Sequence, residues 1–259
     1  MIYTNEKLQE ITAQLRDLTA QYADYDRLKE QLALDSADTV LWSKGHSEPF
    51  CADYITDLFD NTVEPRKLLK RLPRKREFTS MHEMQGTQPL RSVYFDKHGE
   101  GFLEKFYCNT PGQRIEVQFD TARHSLQHLA RTCFDEEGRP LSYDLTEIVT
   151  AHYQIIRSMT YTYENGRIIR AESIYEYEPG REMVLYDDPA FAGFDDTAFP
   201  PKRMNPPVMQ THTFHYTDDV LLTFTRTDHE YGKDYSNTWK IRRGVIKSYI
   251  ECGITYFGI

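Results

Sequence analysis

Long hydrophobic runs are missing from this sequence. No window reaches the roughly 20 apolar residues that a membrane-crossing helix needs. The opening MIYTNEKLQEI also lacks a basic stretch followed by an apolar one, so a cytoplasmic location is expected. Cysteine is scarce: the four residues Cys51, Cys108, Cys133 and Cys252 lie far apart with no C-x-x-C pair. That spacing argues against a disulfide framework and a zinc site and for reduced packing residues. G-x-S-x-G, P-loop and G-x-G-x-x-G patterns are all missing. No catalytic residue is therefore assigned, and no cofactor or metal is expected.

What is present is charge, tyrosine and β-pattern. The formal net charge is −9, unevenly spread: residues 1–63 carry −7, residues 64–76 carry +6 and residues 77–259 carry −8. An acidic body disfavours nonspecific contact with nucleic acid or anionic membranes and favours a basic partner. The basic island, PRKLLKRLPRKREF, holds seven Lys and Arg between Arg66 and Arg76 with only Phe78 as a nearby ring. Its expected role is to neutralise the sheet or a second subunit, and nucleic acid is not the expected partner.

Residues 1–77 read as a helical region. Leu8, Ile11, Leu15, Leu18, Tyr22, Tyr25 and Leu32 step by three and four over 5–34, with Asn5 as a cap, so one continuous helix is expected. Its stripe suits packing on a sheet or, alternatively, a homodimer seam. A second helix is expected from Pro49 and a third between Pro65 and Pro73.

From about residue 88 the period becomes two. Strands are expected near 90–96, 101–108, 113–120, 128–135, 150–164, 167–177, 208–217, 219–227, 236–242 and 245–252, the end of the chain pairing into the sheet. The clearest hairpin is SMTYTYENGRIIRAESIYEY, where Asn165-Gly166 fits a type I′ turn. Strict pairing would set Tyr163 against Ile168, Tyr161 against Arg170 and Met159 against Glu172, a face of mixed rings and charges that should stay partly wet. The expected fold is α+β: N-terminal helices on a large, mainly antiparallel sheet, as a meander or open barrel, over residues 78–259.

Four stretches share a ring, an acidic or polar residue, a turn and an aliphatic: FDKHGEGFL at 95, FDTARHSL at 119, FDEEGRPL at 134 and YENGRII at 163. They resemble the strand-turn-strand units of YD-type (Rhs-like) β-hairpin repeat proteins. The likeness covers these four stretches alone, at spacings of 24, 15 and 29 residues, and no functional residue is carried over from it. An aromatic closing a strand before a turn-forming Asp or Asn gives the same pattern.

The one long break, 178–207, is too long for a routine connection and is the sequence's main candidate site. In it YDDPAF recurs as FDDTAF, setting Asp187, Asp188, Asp195 and Asp196 among Tyr186, Phe191, Phe194 and Phe199. Carboxylates beside rings suit capture of a basic protein partner, and Tyr161 and Tyr163 of the hairpin would extend that surface. The histidines offer less. His124 and His128 have the spacing of a ligand pair but no third ligand nearby, and His212 and His215 should point to opposite faces of a strand. Asp144, Glu147, His152 and Asp228, His229, Glu230 form polar clusters that a β-fold could bring together.

The leading expectation is thus a non-enzymatic binding module, of an immunity or inhibitor kind, that covers a basic partner with an acidic, tyrosine-rich surface. Two alternatives are a β-rich small-molecule binder or enzyme with a tyrosine-lined pocket, and a structural protein that self-associates through helix 5–34.

Overall fold

A computed structural model describes residues 4–32, 37–44, 49–53, 68–71, 73–150, 153–177, 208–218, 220–230, 233–242, 245–251 and 254–257. Among these residues two helices, α1 (Asn5–Tyr22) and α2 (Tyr25–Leu32), precede fourteen strands. The first half of the sheet comprises β1 (Thr39–Lys44), β2 (Thr79–Gln85), β3 (Gln88–Phe95), β4 (Gly101–Thr110), β5 (Gln113–Asp120), β6 (Ser125–Phe134) and β7 (Pro140–Thr150). The second half comprises β8 (Tyr153–Glu164), β9 (Arg167–Tyr177), β10 (Val208–Thr217), β11 (Val220–Glu230), β12 (Lys233–Arg242), β13 (Val245–Glu251) and β14 (Ile254–Phe257). Every strand pairs antiparallel with its sequence neighbour, and among the described residues no pairing joins β1 to β14. The result is an open meander, mostly β, with two helices on it.

The turns explain the recurring ring-acid stretches. Asp96 accepts the N–H groups of His98 at 2.8 Å and Glu100 at 3.0 Å. Asp120 accepts those of Ala122 and Arg123, both at 2.9 Å, and Asp135 accepts that of Arg139 at 2.8 Å. Each Asp replaces main-chain partners that a reversing chain lacks. In a meander alternate turns fall at opposite ends, so those at 95 and 119 share one end while those at 134 and 163 share the other. Uneven spacing follows from that geometry. At Asn165-Gly166 φ is 51° and 79°, as a type I′ turn requires.

Several expectations change. The helix over 5–34 is broken at Ala23-Asp24 because Asp24 starts a new one: its carboxylate accepts the Arg27 N–H at 2.9 Å and its carbonyl the Leu28 N–H at 3.1 Å. Thr4, not Asn5, caps α1, accepting from Lys7 N at 3.2 Å. The sheet begins inside the region read as helical, since β1 pairs with β2, and β2, β7 and β14 are further strands without a clear alternating signature. Pro49 and Phe50 form a turn and Cys51–Asp53 are not helical. Leu69 makes an antiparallel bridge to Trp42 where the third helix was expected. The remainder of both expected helices, 54–67, lies outside the described residues.

The helical stripe is spent on the sheet. Leu8, Ile11, Leu15, Tyr25 and Leu28 are buried against Phe106, Ile115, Val117, Phe119, Leu129, Ile156 and Ile174 of β4–β9. Each such side chain contributes about 1.5–3 kcal/mol by leaving water. These residues serve the chain's own core, with Leu18, Tyr22 and Leu32 of the same stripe partly buried beside them. Tyr25 adds a polar tie, donating to Glu104 at 2.5 Å. Arg91 bridges Glu83 at 2.7 Å and Glu104 at 2.8 Å beneath it. Among the described residues no helix is long and apolar enough to cross a membrane.

Candidate functional site

Alternation sends every second residue of β2–β12 to the face opposite the helices. The register places His82, Ser92, Lys105, Glu116, Ala130, Leu145, Arg157 and Tyr175 there, strand by strand. On the same parity lie Tyr107, Tyr143, Met159, Tyr161, Ser173 and His212. The middle of this face is as dry as the helix face: Lys105, Glu116, His82, Ser92 and His212 are all 0 % exposed, and Tyr107 and Tyr143 are 1 % exposed.

A short strap, Phe50–Asp53, crosses it. Arg114 donates to the Phe50 carbonyl, and the Tyr161 hydroxyl donates to the Ala52 carbonyl at 2.6 Å. The Cys51 thiol donates to the Tyr143 hydroxyl at 3.6 Å. Asp53 pairs with Arg157, and the Phe50 ring stands edge-on to His82 at 5.3 Å and Tyr107 at 6.1 Å. Side chains of several strands thus grip the main chain and one carboxylate of an extended segment.

The groups around the strap are linked. Ser43 Oγ lies 2.9 Å from His82 Nε2, His82 Nδ1 lies 2.7 Å from Ser92 Oγ, and Ser92 Oγ lies 3.1 Å from the Tyr107 hydroxyl. Lys105 and Glu116 form an ion pair at 3.6 Å with neither exposed. Arg114 Nε donates to Glu116 Oε1 at 3.1 Å, while Glu116 Oε2 faces Lys105 Nζ at 3.6 Å with no donor within hydrogen-bond distance among the described residues. Burial raises the Tyr143 phenol well above its usual range, so its hydroxyl stays protonated. At the far side His212 stacks on Phe224 at 5.6 Å, and burial pushes it down to about 3. Its Nε2 meets Ser173 at 3.2 Å, and its Nδ1, like Thr132 Oγ1 on the same face, is buried with no hydrogen-bond partner among the described residues. Opposite charges, hydroxyls and rings on one dry surface supply hydrogen-bond donors and acceptors of fixed direction.

The candidates read from the sequence fall elsewhere. Tyr186, Asp187, Asp188, Phe191, Phe194, Asp195, Asp196 and Phe199 lie outside the described residues. Tyr161 is 6 % exposed and committed to the strap. Tyr163 is half-buried, donating to the Pro140 carbonyl at 2.8 Å with Arg139 over its ring. The partly wet tyrosine face expected of the hairpin is therefore corrected at Tyr161, while Tyr163 stays partly exposed. The register also differs by a bulge: Tyr163 pairs with Ile168 as expected, but the next pair is Thr162 with Arg170, so Tyr161 meets Ala171 and Met159 meets Ser173.

The other clusters separate. Asp144 meets Arg131 at 2.7 Å and Ser158 at 2.5 Å on the helix side of the sheet, while Glu147 is exposed on the opposite face and His152 lies outside the described residues. Asp228 meets Gln210 at 2.7 Å. His229 bridges Thr211 at 2.9 Å and Asp234 at 2.7 Å. That relay has the order hydroxyl, imidazole, carboxylate, yet β10 is paired on both sides, so its main-chain N–H groups serve the ladder and offer no oxyanion site. His212 is buried and His215 exposed, as opposite faces require. His124 sits in a turn at φ 51° against the Tyr25 ring, away from His128 in β6. Among the described residues no group of three or more His, Cys, Asp or Glu is placed to hold a metal ion.

The polar face left a trace in the sequence that is easily misread. In GFLEKFYC the residues Leu103, Lys105 and Tyr107 share a face, and a lysine and a tyrosine at alternate positions look like the wet side of a strand. Comparison with protein-family models and with curated proteins returns no match for the chain.

Proposed function

We propose that this chain is a binding protein that holds a small polar molecule against the strap-covered face of its sheet. The supporting observation is the fully buried Lys105–Glu116 pair, in which Glu116 Oε2 faces Lys105 Nζ at 3.6 Å and has no donor within hydrogen-bond distance among the described residues. A buried ion pair is a poor source of stability, since apolar residues of similar volume serve as well or better. A carboxylate oxygen whose cation stands beyond hydrogen-bond distance regains less of its desolvation cost. Such a pair at a core position is accounted for by a molecule that adds a closer donor to Glu116 Oε2. The ligand class is accordingly a compound bearing hydroxyl or amine donors, with the hydroxyls of Tyr107 and Tyr143 alongside. The side chains on this face hold and orient; among the described residues no nucleophile with its own base and oxyanion donors accompanies them.

The test is a thermal-unfolding screen of the purified full chain against polyols, nucleosides, amino acids and polyamines. A ligand at about 100 times its Kd stabilises by about 2.7 kcal/mol, which raises Tm by about 5–10 °C in a domain of this size. That rise should vanish in Glu116→Gln. Failure of all four classes, with native mass spectrometry showing the chain at its bare mass when purified from cells, would overturn the reading.

A further inference from the structure

On the face opposite the strap, three neighbouring strands hold a relay that the proposed site does not use. Thr211 of β10, His229 of β11 and Asp234 of β12 share that face, and the register sets His229 directly across from Asp234 and one same-face position along from Thr211. Thr211 Oγ1 lies 2.9 Å from His229 Nε2, and His229 Nδ1 lies 2.7 Å from Asp234 Oδ1. The direction of these bonds follows from the carboxylate end. An ionised carboxylate only accepts, so in the neutral ring the proton sits on Nδ1 and Nε2 offers a lone pair. The Thr211 hydroxyl therefore donates to a base whose other nitrogen is held, the arrangement that activates a side-chain nucleophile. Solvent reaches the relay: the Asp234 side chain is 68 % exposed, that of His229 is 21 % exposed, and Thr211 is partly exposed.

We infer that Thr211 is an acyl-acceptor site, modified by acyl phosphates with His229 as general base and Asp234 as the positioning residue. Thr211 Oγ attacks the carbonyl carbon of the donor while its proton passes to His229 Nε2. The bond from that carbon to the phosphate oxygen breaks, and phosphate leaves with the bonding pair and takes the proton from His229. The products are O-acylated Thr211 and inorganic phosphate. Two observations choose the donor class. The main-chain N–H groups of β10 serve the ladder on both sides, so no oxyanion site helps a donor with a poor leaving group, such as an amide or alkyl ester, whereas an acyl phosphate needs less help. Arg170 stands on the same face, across from Thr213. It pairs with Glu172 at 2.6 Å and is 45 % exposed, so its guanidinium offers a phosphate contact beside the hydroxyl.

The full chain is incubated with acetyl phosphate at neutral pH, and acetylated positions are mapped over time by peptide mass spectrometry. Thr227 and Ser236 are the internal control, a hydroxyl pair on the same face at 2.8 Å from each other. Thr211 should be labelled at least about 100 times faster than either, the usual gain from a positioned base. His229→Gln should bring Thr211 down to the control rate. Asp234→Asn should lose at least about tenfold and Asp234→Glu should recover part of it, a rescue that a carboxylate serving only the fold would not show. Thr211→Ser should still be labelled and Thr211→Val should not, with Tm checking that each variant folds. Inorganic phosphate should slow labelling by acetyl phosphate but not by uncharged para-nitrophenyl acetate, since only the first donor meets Arg170. Labelling of Thr211 at the control rate, or at an unchanged rate in His229→Gln, would overturn the acceptor site. Indifference to inorganic phosphate would overturn the donor class.

Discussion

One strand shows how differently the two faces of this sheet are built. On the helix side of β5, Ile115, Val117 and Phe119 are buried among leucines and rings. On the strap side of the same strand, Arg114 and Glu116 meet each other, Lys105 and the Phe50 carbonyl. Burial is equally complete, but the interactions differ in kind. Apolar contact is non-directional and lets neighbours relax after a loss. A desolvated charge depends on one or two partners at fixed geometry, so the same-sized change there should act through what it leaves unpaired.

The sharpest way to break this contrast is to remove one charge. Lys105→Met should cost about 3–5 kcal/mol in urea unfolding, because Glu116 is left buried with only Arg114 beside it. Lys105→Met with Glu116→Leu should cost less than the single change, since no orphan charge remains. On the helix face Leu15→Ala should cost about 2–5 kcal/mol, and adding Val117→Ala should only deepen the loss. Recovery in the polar pair with accumulation in the apolar one separates the faces; accumulation in both would show that the strap side behaves as ordinary core.

Acid tests the same difference. His212 in the folded chain is held down to about 3 by burial, while an unfolded histidine titrates near 6.5. As pH falls through about 6.5 the unfolded state takes up a proton that the folded state refuses. Stability should therefore fall by about 1.4 kcal/mol per pH unit between about 6 and 4 on this account. His212→Asn should flatten that limb, read as Tm against pH. An unchanged limb in the variant would place the acid sensitivity elsewhere.

Much of the architecture was legible in the sequence, for identifiable reasons. β5, β9 and β10 stand where strict alternation and turn residues put them, and the type I′ turn followed from Asn165-Gly166. β1 was hidden because TVLWSK sits between helical signals and becomes a strand only by pairing with β2. The break between α1 and α2 was hidden because Asp24 falls within an unbroken apolar stripe. The polar face was the larger omission. Alternation reports that a strand has two faces but not which one is covered, and a strap from a distant part of the chain decides that. One bulged residue in β9 then carried Tyr161 opposite Ala171 instead of Arg170, which no residue-by-residue pattern specifies.

A smaller effect compares the ties on each side. Asp24→Ala removes the cap of α2 and should cost about 1 kcal/mol. Tyr161→Phe removes one hydrogen bond from the strap, leaving the buried Ala52 carbonyl without it, and should cost about 1–2 kcal/mol. The two would look alike in global unfolding and differ in local exchange. Asp24→Ala should speed amide exchange in 25–32, whereas Tyr161→Phe should speed it in 50–53 while α2 keeps its protection.

Thiol chemistry provides the finest comparison, because it reads opening without altering the fold. Cys108 packs against the helix-face core and Cys51 lies in the strap. Burial pushes the Cys108 thiol up to about 11, so at pH 8 only about one molecule in a thousand carries the reactive thiolate. Alkylation at Cys108 then waits for the helices to leave β4–β9, an event close to global unfolding. Cys51 needs only the strap to lift, which breaks two carbonyl contacts, a thiol bond and the Asp53–Arg157 pair. Iodoacetamide should therefore label Cys51 first, and faster still in Tyr161→Phe, with Cys108 unchanged until denaturant approaches the unfolding midpoint. Equal rates at the two thiols would mean that strap and helices open together, and that the two faces of the sheet form a single cooperative unit.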